Sequence, residues 1–114
     1  MGIDQLKSIK HPFPNESFIL RNGTNSILVT FDAFKNKIVQ LKTQDAYGIV
    51  PRNAEQSFAL NVLMNDKVQL VILTGKAGTG KTLLALASAL EKRKTYKQIF
   101  LARPIIPLSN KFLC

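Results

Sequence analysis

Hydrophobic and polar positions alternate with different periods along the chain, and each period marks a different kind of element. From Ser17 to Lys42 the apolar residues come in short β-rich runs: Phe18-Ile19-Leu20, Ile27-Leu28-Val29-Thr30-Phe31 and Ile38-Val39-Gln40-Leu41. The first break, Arg21-Asn22-Gly23-Thr24-Asn25, contains Asn-Gly, a strong hairpin signal, and the second turns around Lys35-Asn36-Lys37. This spacing predicts a three-stranded antiparallel meander. Three strands make a thin structure, so its apolar face is expected to pack against the rest of the chain or a partner. Residues 1–16, with Pro12 and Pro14 and no sustained period, read as an irregular arm.

The period changes after the connector Thr43 to Pro51, which Gly48 and Pro51 punctuate. From Asn53 to Met64, the pairs Phe58 with Val62 and Ala59 with Leu63 stand at i, i+4 and predict an amphipathic helix. Asn53 suits its N-cap, and Gln56 three residues later completes a near-capping box. Leu70-Val71-Ile72-Leu73 is then a short buried-strand run, followed by a glycine-rich turn and a second helical pattern. In that helix Leu83, Leu86 and Leu90 share a face, with Ala85, Ala87 and Ala89 between them, so these leucines are the expected core contacts. A basic linker, Glu91 to Lys97, leads to Ile99-Phe100-Leu101-Ala102. Strand, helix and strand at this spacing predict a right-handed parallel βαβ unit. The chain therefore reads as α/β: a meander over 17–48, then the beginning of a P-loop NTPase parallel sheet over 49–114.

The turn between strand and helix carries the chemistry. Gly75-Lys76-Ala77-Gly78-Thr79-Gly80-Lys81-Thr82 has the spacing Gly-x-x-x-x-Gly-Lys-Thr. Glycines at these places let the backbone wrap a phosphate without Cβ clashes, and successive N–H groups point inward with the positive end of the helix behind them. Lys81 is placed to reach the β and γ phosphates of a nucleoside triphosphate, and Thr82 to offer its hydroxyl to Mg²⁺, which takes few protein oxygens alongside phosphate and water. A glycine-rich βα turn without a ligand is the alternative; the intact Lys81-Thr82 pair and the flanking strand and helix patterns favour the nucleotide.

Composition narrows the classes. At 114 residues, 46% hydrophobic and 20% charged, the chain amounts to one globular domain, and no apolar run approaches the length of a membrane span. The opening residues lack an apolar signal core, and Cys114 has no second cysteine to pair with, both of which fit a cytoplasmic protein. The single histidine, His11, has no other imidazole or CxxC near it with which to build a metal site and reads as a solvated loop residue. The net charge is +9, and the excess lies from Pro51 onward, with 10 basic and 3 acidic residues. A basic surface attracts phosphate backbones, which makes a nucleic-acid partner reasonable. Against this, Lys76 and Lys81 belong to the phosphate loop, and Lys92-Arg93-Lys94 suits a helix C-terminus.

Two further residues have both a structural and a functional reading. Gln56 caps a helix on the first reading. On the second, its amide pairs bidentately with adenine, from the position of a Q motif upstream of a P-loop strand. Arg103 follows the second apolar run, where ligands of open α/β sheets sit, and is either a phosphate or nucleic-acid contact or an exposed strand-end arginine.

Taken together, Tyr47-Gly48-Ile49-Val50-Pro51-Arg52-Asn53-Ala54-Glu55-Gln56, the Leu73-Thr74 lead into the P-loop, and Ala102-Arg103-Pro104-Ile105-Ile106-Pro107-Leu108 resemble the PhoH-like proteins over roughly residues 17 to 110. The resemblance implies a cytoplasmic P-loop ATPase related to superfamily I helicases, with a RecA-like sheet. It also implies ATP and Mg²⁺ as cofactors, RNA as a partner in longer members that carry a PIN nuclease domain, and ring-shaped homo-oligomers. By the same resemblance Gln56 reads adenine and Arg103 touches substrate strand or phosphate.

The departures from the family matter equally. No Asp or Glu follows Glu91, so the Walker B carboxylate that helps hold Mg²⁺ for hydrolysis is missing, as is the acidic metal cluster of a PIN domain. Phe112-Leu113-Cys114 does not look like the family's continuation, and a truncated, frameshifted or partial gene product is the expectation. The reading is thus an ATP-binding piece of a PhoH-like ATPase, with no catalytic set complete in this chain. The alternative, from another class, is a non-catalytic nucleic-acid or protein interaction module with a vestigial P-loop. With one sheet edge and apolar helix faces uncovered, the chain alone is expected to be marginally stable or prone to aggregate. A cooperative, high-temperature melting transition of the isolated monomer would contradict that expectation.

Overall fold

A computed structural model describes residues 12–104. His11 and most of the N-terminal arm, the Ile105-to-Leu108 part of the family pattern, and Cys114 lie outside the described residues.

The meander forms as the sequence predicts. Strands β1 (Ser17–Asn22), β2 (Asn25–Asp32) and β3 (Lys37–Gln40) pair antiparallel in the order β1-β2-β3. Asn22 faces Asn25, so the hairpin loop is Gly23-Thr24, with glycine at the first of its two positions as in a type II′ turn. At the second turn, Asp32 pairs with Lys37, and the Asp32 carboxylate accepts from the N–H groups of Phe34 (3.0 Å) and Lys35 (3.2 Å), an Asx turn that fixes the loop. Leu20, Val29 and Thr30 are buried in this sheet. The Thr30 hydroxyl donates to the Glu16 carbonyl (3.1 Å), and the Phe31 N–H donates to the same oxygen (2.9 Å), tying the end of the arm to β2.

Helix α1 runs over Ala54–Leu63 and helix α2 over Lys81–Glu91. The Asn53 side chain caps α1 by accepting the Gln56 N–H at 2.9 Å, as the spacing predicts. The reciprocal bond differs from a standard capping box: Gln56 Oε1 accepts from the N–H of Arg52 (2.8 Å), one residue before the cap.

The main core is where α1 and α2 meet. Leu60, Leu84, Ala87 and Ala46 form the buried cluster, with Ile49, Ala59, Leu63 and Met64 packed against it. Ala46 arrives on a tight turn in which Ala46 and Ile49 exchange backbone hydrogen bonds (3.0 and 2.9 Å) across Tyr47-Gly48, both in the left-handed region as a type I′ turn requires. The turn is pinned to the end of α2: Glu91 Oε2 accepts the Tyr47 N–H at 3.1 Å, and the Arg93 guanidinium lies 5.4 Å from the Tyr47 ring centre. Lys92 pairs with Asp66 at 2.9 Å and joins the same helix end to the turn after α1.

Two expectations are corrected. Leu83 and Leu86 are exposed, at 53% and 40%, while Leu84, Ala87 and Ser88 carry the buried stripe of α2. Both sets have helical spacing; the position of α1 and of the 46–49 turn selects the second. The parallel βαβ pairing is also not formed among the described residues: Leu70–Leu73 and Ile99–Ala102 lie outside any strand ladder. A parallel strand is stable when helices cover both faces and strands flank it. Here α1 and α2 cover one side, which half-buries Val71 and Leu73 and leaves Leu70, Ile72, Phe100 and Leu101 more than three-quarters exposed.

Candidate functional site

The Gly75-to-Thr82 loop sits where its sequence context requires, at the start of α2. Gly80 is the N-cap, at φ 85°, with no side chain satisfying the first amides of the helix and no acidic residue in its first turn. The helix therefore presents unpaired N–H groups and the positive end of its dipole to whatever the loop encloses. Two glycines are needed sterically. A Cβ on Gly80 would stand 3.2 Å from Gln56 Nε2 in a backbone conformation that side chains disfavour, and one on Gly75 would meet Thr79 Oγ1 at 3.4 Å and the Lys81 stem at 3.7 Å.

Lys81 folds back over the mouth of this loop. Its ammonium donates to the carbonyls of Gly75 and Lys76 (2.8 Å for the latter) and lies 3.4 Å from Thr79 Oγ1, which itself donates to the Lys76 carbonyl at 2.8 Å. A full positive charge is thus held by neutral acceptors beside the free amides of α2. A phosphate oxygen entering there offers stronger, charge-assisted bonds to both. Thr82, next along the helix, is exposed.

Gln56 is brought to the loop by α1. Its Nε2 donates to the Thr79 carbonyl at 3.2 Å while its Oε1 holds the Arg52 N–H. Each end of the amide keeps one unused hydrogen-bonding position, because an amide nitrogen carries two protons and its oxygen two lone pairs. A cavity of about 550 Å³ opens beside it, between the Gly48-to-Arg52 segment and Gly78-Thr79-Gly80, walled by Ile49, Val50 and Leu83. Apolar walls with a few convergent polar groups suit a planar heterocycle. A second cavity of about 340 Å³, on the other side of Gln56, is lined by Glu55, Leu73, Thr74 and Lys81.

The structure therefore brings Gln56 and the whole Gly75-to-Thr82 loop into one site. Arg103 is exposed near the end of the described residues and lines neither cavity. The sequence reading gave no role to Arg52, whose backbone and side chain border the larger cavity, nor to the Val50 wall. The available signal was their place just before the Asn53 cap. For Mg²⁺, no group of three or more His, Cys, Asp or Glu side chains gathers among the described residues, so an all-protein metal cage is not present there. The donor set, one exposed hydroxyl beside free helix amides, fits an ion carried in by phosphate.

A family model described as PhoH-like protein matches residues 48–113, which takes in the cavity wall, Gln56 and the entire phosphate loop. The chain belongs to the PhoH-like protein family. The PhoH-like chain is 38% identical to Protein PhoH2 of Bacillus subtilis (strain 168) over 106 residues, covering 86% of this chain and 24% of that protein. It is 35% identical to Protein PhoH2 of Mycolicibacterium smegmatis over 97 residues, covering 82% of this chain and 22% of the relative. It is 36% identical to Protein PhoH2 of Thermobispora bispora over 73 residues, covering 61% and 17%. The PhoH-like chain thus spans about a quarter or less of the length of these curated relatives. No solved structure matches it. Membership places the phosphate loop in a P-loop NTPase family of ATPase type. No helix among the described residues is long and apolar enough to cross a membrane.

Proposed function

We propose that this PhoH-like chain binds ATP with Mg²⁺ through Gly75, Lys76, Ala77, Gly78, Thr79, Gly80, Lys81 and Thr82. The loop amides and Lys81 hold the β and γ phosphates, Thr82 gives its hydroxyl to the ion, and Gln56 reads adenine. The observation that carries this reading is the uncapped N-terminus of α2 ringed by the glycine loop, with the Lys81 ammonium in its mouth. The cavity flanking Gln56 supports a base site next to the phosphate site. In the longer proteins of the family, this unit would couple ATP hydrolysis to RNA, in the cytoplasm and as a ring, with Arg103 on phosphate or the nucleic-acid strand. Hydrolysis is not assigned to the chain itself, because the sequence has no acidic residue after Glu91.

The competing reading is an interaction module whose P-loop is vestigial. Calorimetric titration with MgATP and MgGTP separates the two. The wild-type chain is expected to take up one equivalent of ATP and to prefer it to GTP. Gln56→Ala is expected to reduce that preference by about fivefold to a hundredfold, the worth of one bidentate base contact of about 1–3 kcal/mol, with weaker effects on bare triphosphate. No heat and no competition at millimolar ATP would remove the nucleotide reading. An unchanged ATP-to-GTP ratio in Gln56→Ala would leave Gln56 as a cap and loop brace only.

A further inference from the structure

A groove of about 260 Å³ lies between the meander and the C-terminal end of α1, away from the phosphate loop. Its lining includes Asn15, Phe34, Lys35, Asn61, Asn65 and Lys67, so the fold gathers an aromatic ring, two lysines and three amides from four separate stretches of chain. Phe34 stands on the Asx turn between β2 and β3 and is 76% exposed, which is unusual for a phenylalanine and has no packing explanation. The Lys67 ammonium lies 4.5 Å from its ring centre. The groove's acidic member, Asp32, already accepts the two turn N–H groups and faces Lys37 across the strand pair. Asp66, beside Lys67, is paired with Lys92. Lys35 has no ion pair or side-chain hydrogen bond among the described residues, and the same holds for the side-chain amides of Asn15 and Asn61.

We propose that this groove binds single-stranded nucleic acid, with a base stacked on the exposed Phe34 ring, Lys35 and Lys67 on the flanking phosphates, and the Asn61 and Asn65 amides at the base edge. Stacking on an aromatic ring next to cations is the physical basis of strand binding without fixed sequence. Amides with a donor and an acceptor meet the edge of an unpaired base, and a duplex would hide both the base face and that edge. The sequence gives no aromatic signature on the strand faces; the ring stands on the turn instead, where only the folded groove gives it neighbours. The inference stands apart from the phosphate loop and shares with the reading above only the class of macromolecule.

Fluorescence anisotropy of the whole chain with a labelled single-stranded oligonucleotide of about 20 nucleotides, as RNA and as DNA, at several salt concentrations, tests it. Phe34→Ala is expected to lower affinity about fivefold or more while leaving the salt dependence unchanged, since it removes stacking and no charge. Lys35→Gln with Lys67→Gln is expected to flatten the slope of log K against log salt by about 1.4, two contacts at about 0.7 each. Duplex of the same length should bind more weakly. The proposal is overturned if Phe34→Ala binds like wild type, if duplex binds as well as single strand, or if Lys94→Gln with Lys97→Gln, an equal charge change beyond α2, has the same effect on affinity and slope. An acidic peptide that binds in place of the oligonucleotide and depends on Phe34 would also overturn it. ATP titration of Phe34→Ala keeps the two questions apart: retained ATP binding with unaltered strand binding sinks the groove alone, and absent ATP binding with a Phe34-dependent strand complex sinks the nucleotide reading alone.

Discussion

Replacing Lys81 by alanine is expected to weaken MgATP binding by about a hundredfold or more while leaving the fold intact. The ammonium's present partners are the carbonyls of Gly75 and Lys76 and the Thr79 hydroxyl, all in exposed loop. Losing these bonds costs little, because water replaces them at the surface. Alanine is also a good residue at the start of a helix. With phosphate in the loop, the same ammonium makes charge-assisted bonds worth about 1.5–3 kcal/mol. Two such bonds lost correspond to about two or more powers of ten in affinity. Lys76 is the control: it is exposed and its carbonyl, not its side chain, takes part in the loop bonds, so Lys76→Ala should change affinity only severalfold. Titration of both variants, with circular dichroism to verify that α2 persists, decides the matter. Equal affinities for Lys81→Ala and wild type would show that whatever ATP binding exists does not use this loop.

Leu60→Ala should be the most destabilising single substitution in the chain. Leu60 is fully buried between Leu84, Ala87 and Ala46 and is the largest side chain so enclosed. Large-to-small changes at such a place cost about 2–5 kcal/mol, the lost transfer energy plus the cavity left behind. A stable domain has about 5–15 kcal/mol in total, and a core of so few residues places this chain at the low end. Urea denaturation of Leu60→Ala is therefore expected to show a lost or strongly shifted cooperative transition. Within α2, Leu84→Ala should fall next and Leu83→Ala should be nearly silent, since Leu84 is 4% exposed and Leu83 is 53%. If Leu83→Ala proved the costlier of the two, α2 would have to be rotated about its axis relative to α1.

Where the reading from sequence holds, the governing physics is local. The meander is legible because alternation, Asn-Gly and an Asx turn act within a few residues of one another. Asn53 caps α1 for the same reason: its carboxamide needs to reach only three residues along the chain. The phosphate loop is legible because its glycines, lysine and threonine are consecutive and their geometry is set by backbone conformation.

Where the reading fails, the deciding partner is distant in sequence. Leu83, Leu86 and Leu90 form as good a stripe as Leu84, Ala87 and Ser88, and only the docking of α1 and the Ala46 turn distinguishes them. Leu70–Leu73 and Ile99–Ala102 have strand composition, yet a ladder needs hydrogen-bonding neighbours that composition does not supply. The roles of Arg52 and of the Val50 wall follow from a cavity closed by residues almost thirty positions further on.

By itself, then, the sequence determined the antiparallel meander, the cap and extent of α1, and the phosphate loop at the head of α2, each a consequence of short-range sterics and hydrogen bonding. The tertiary structure alone decided which face of α2 is buried, that the Gln56 amide bridges Arg52 to the Thr79 carbonyl, and that Phe34, Lys67 and the asparagines share a groove. Those outcomes depend on which apolar surfaces find each other across long stretches of chain, and a periodic pattern offers several equivalent faces until packing selects one.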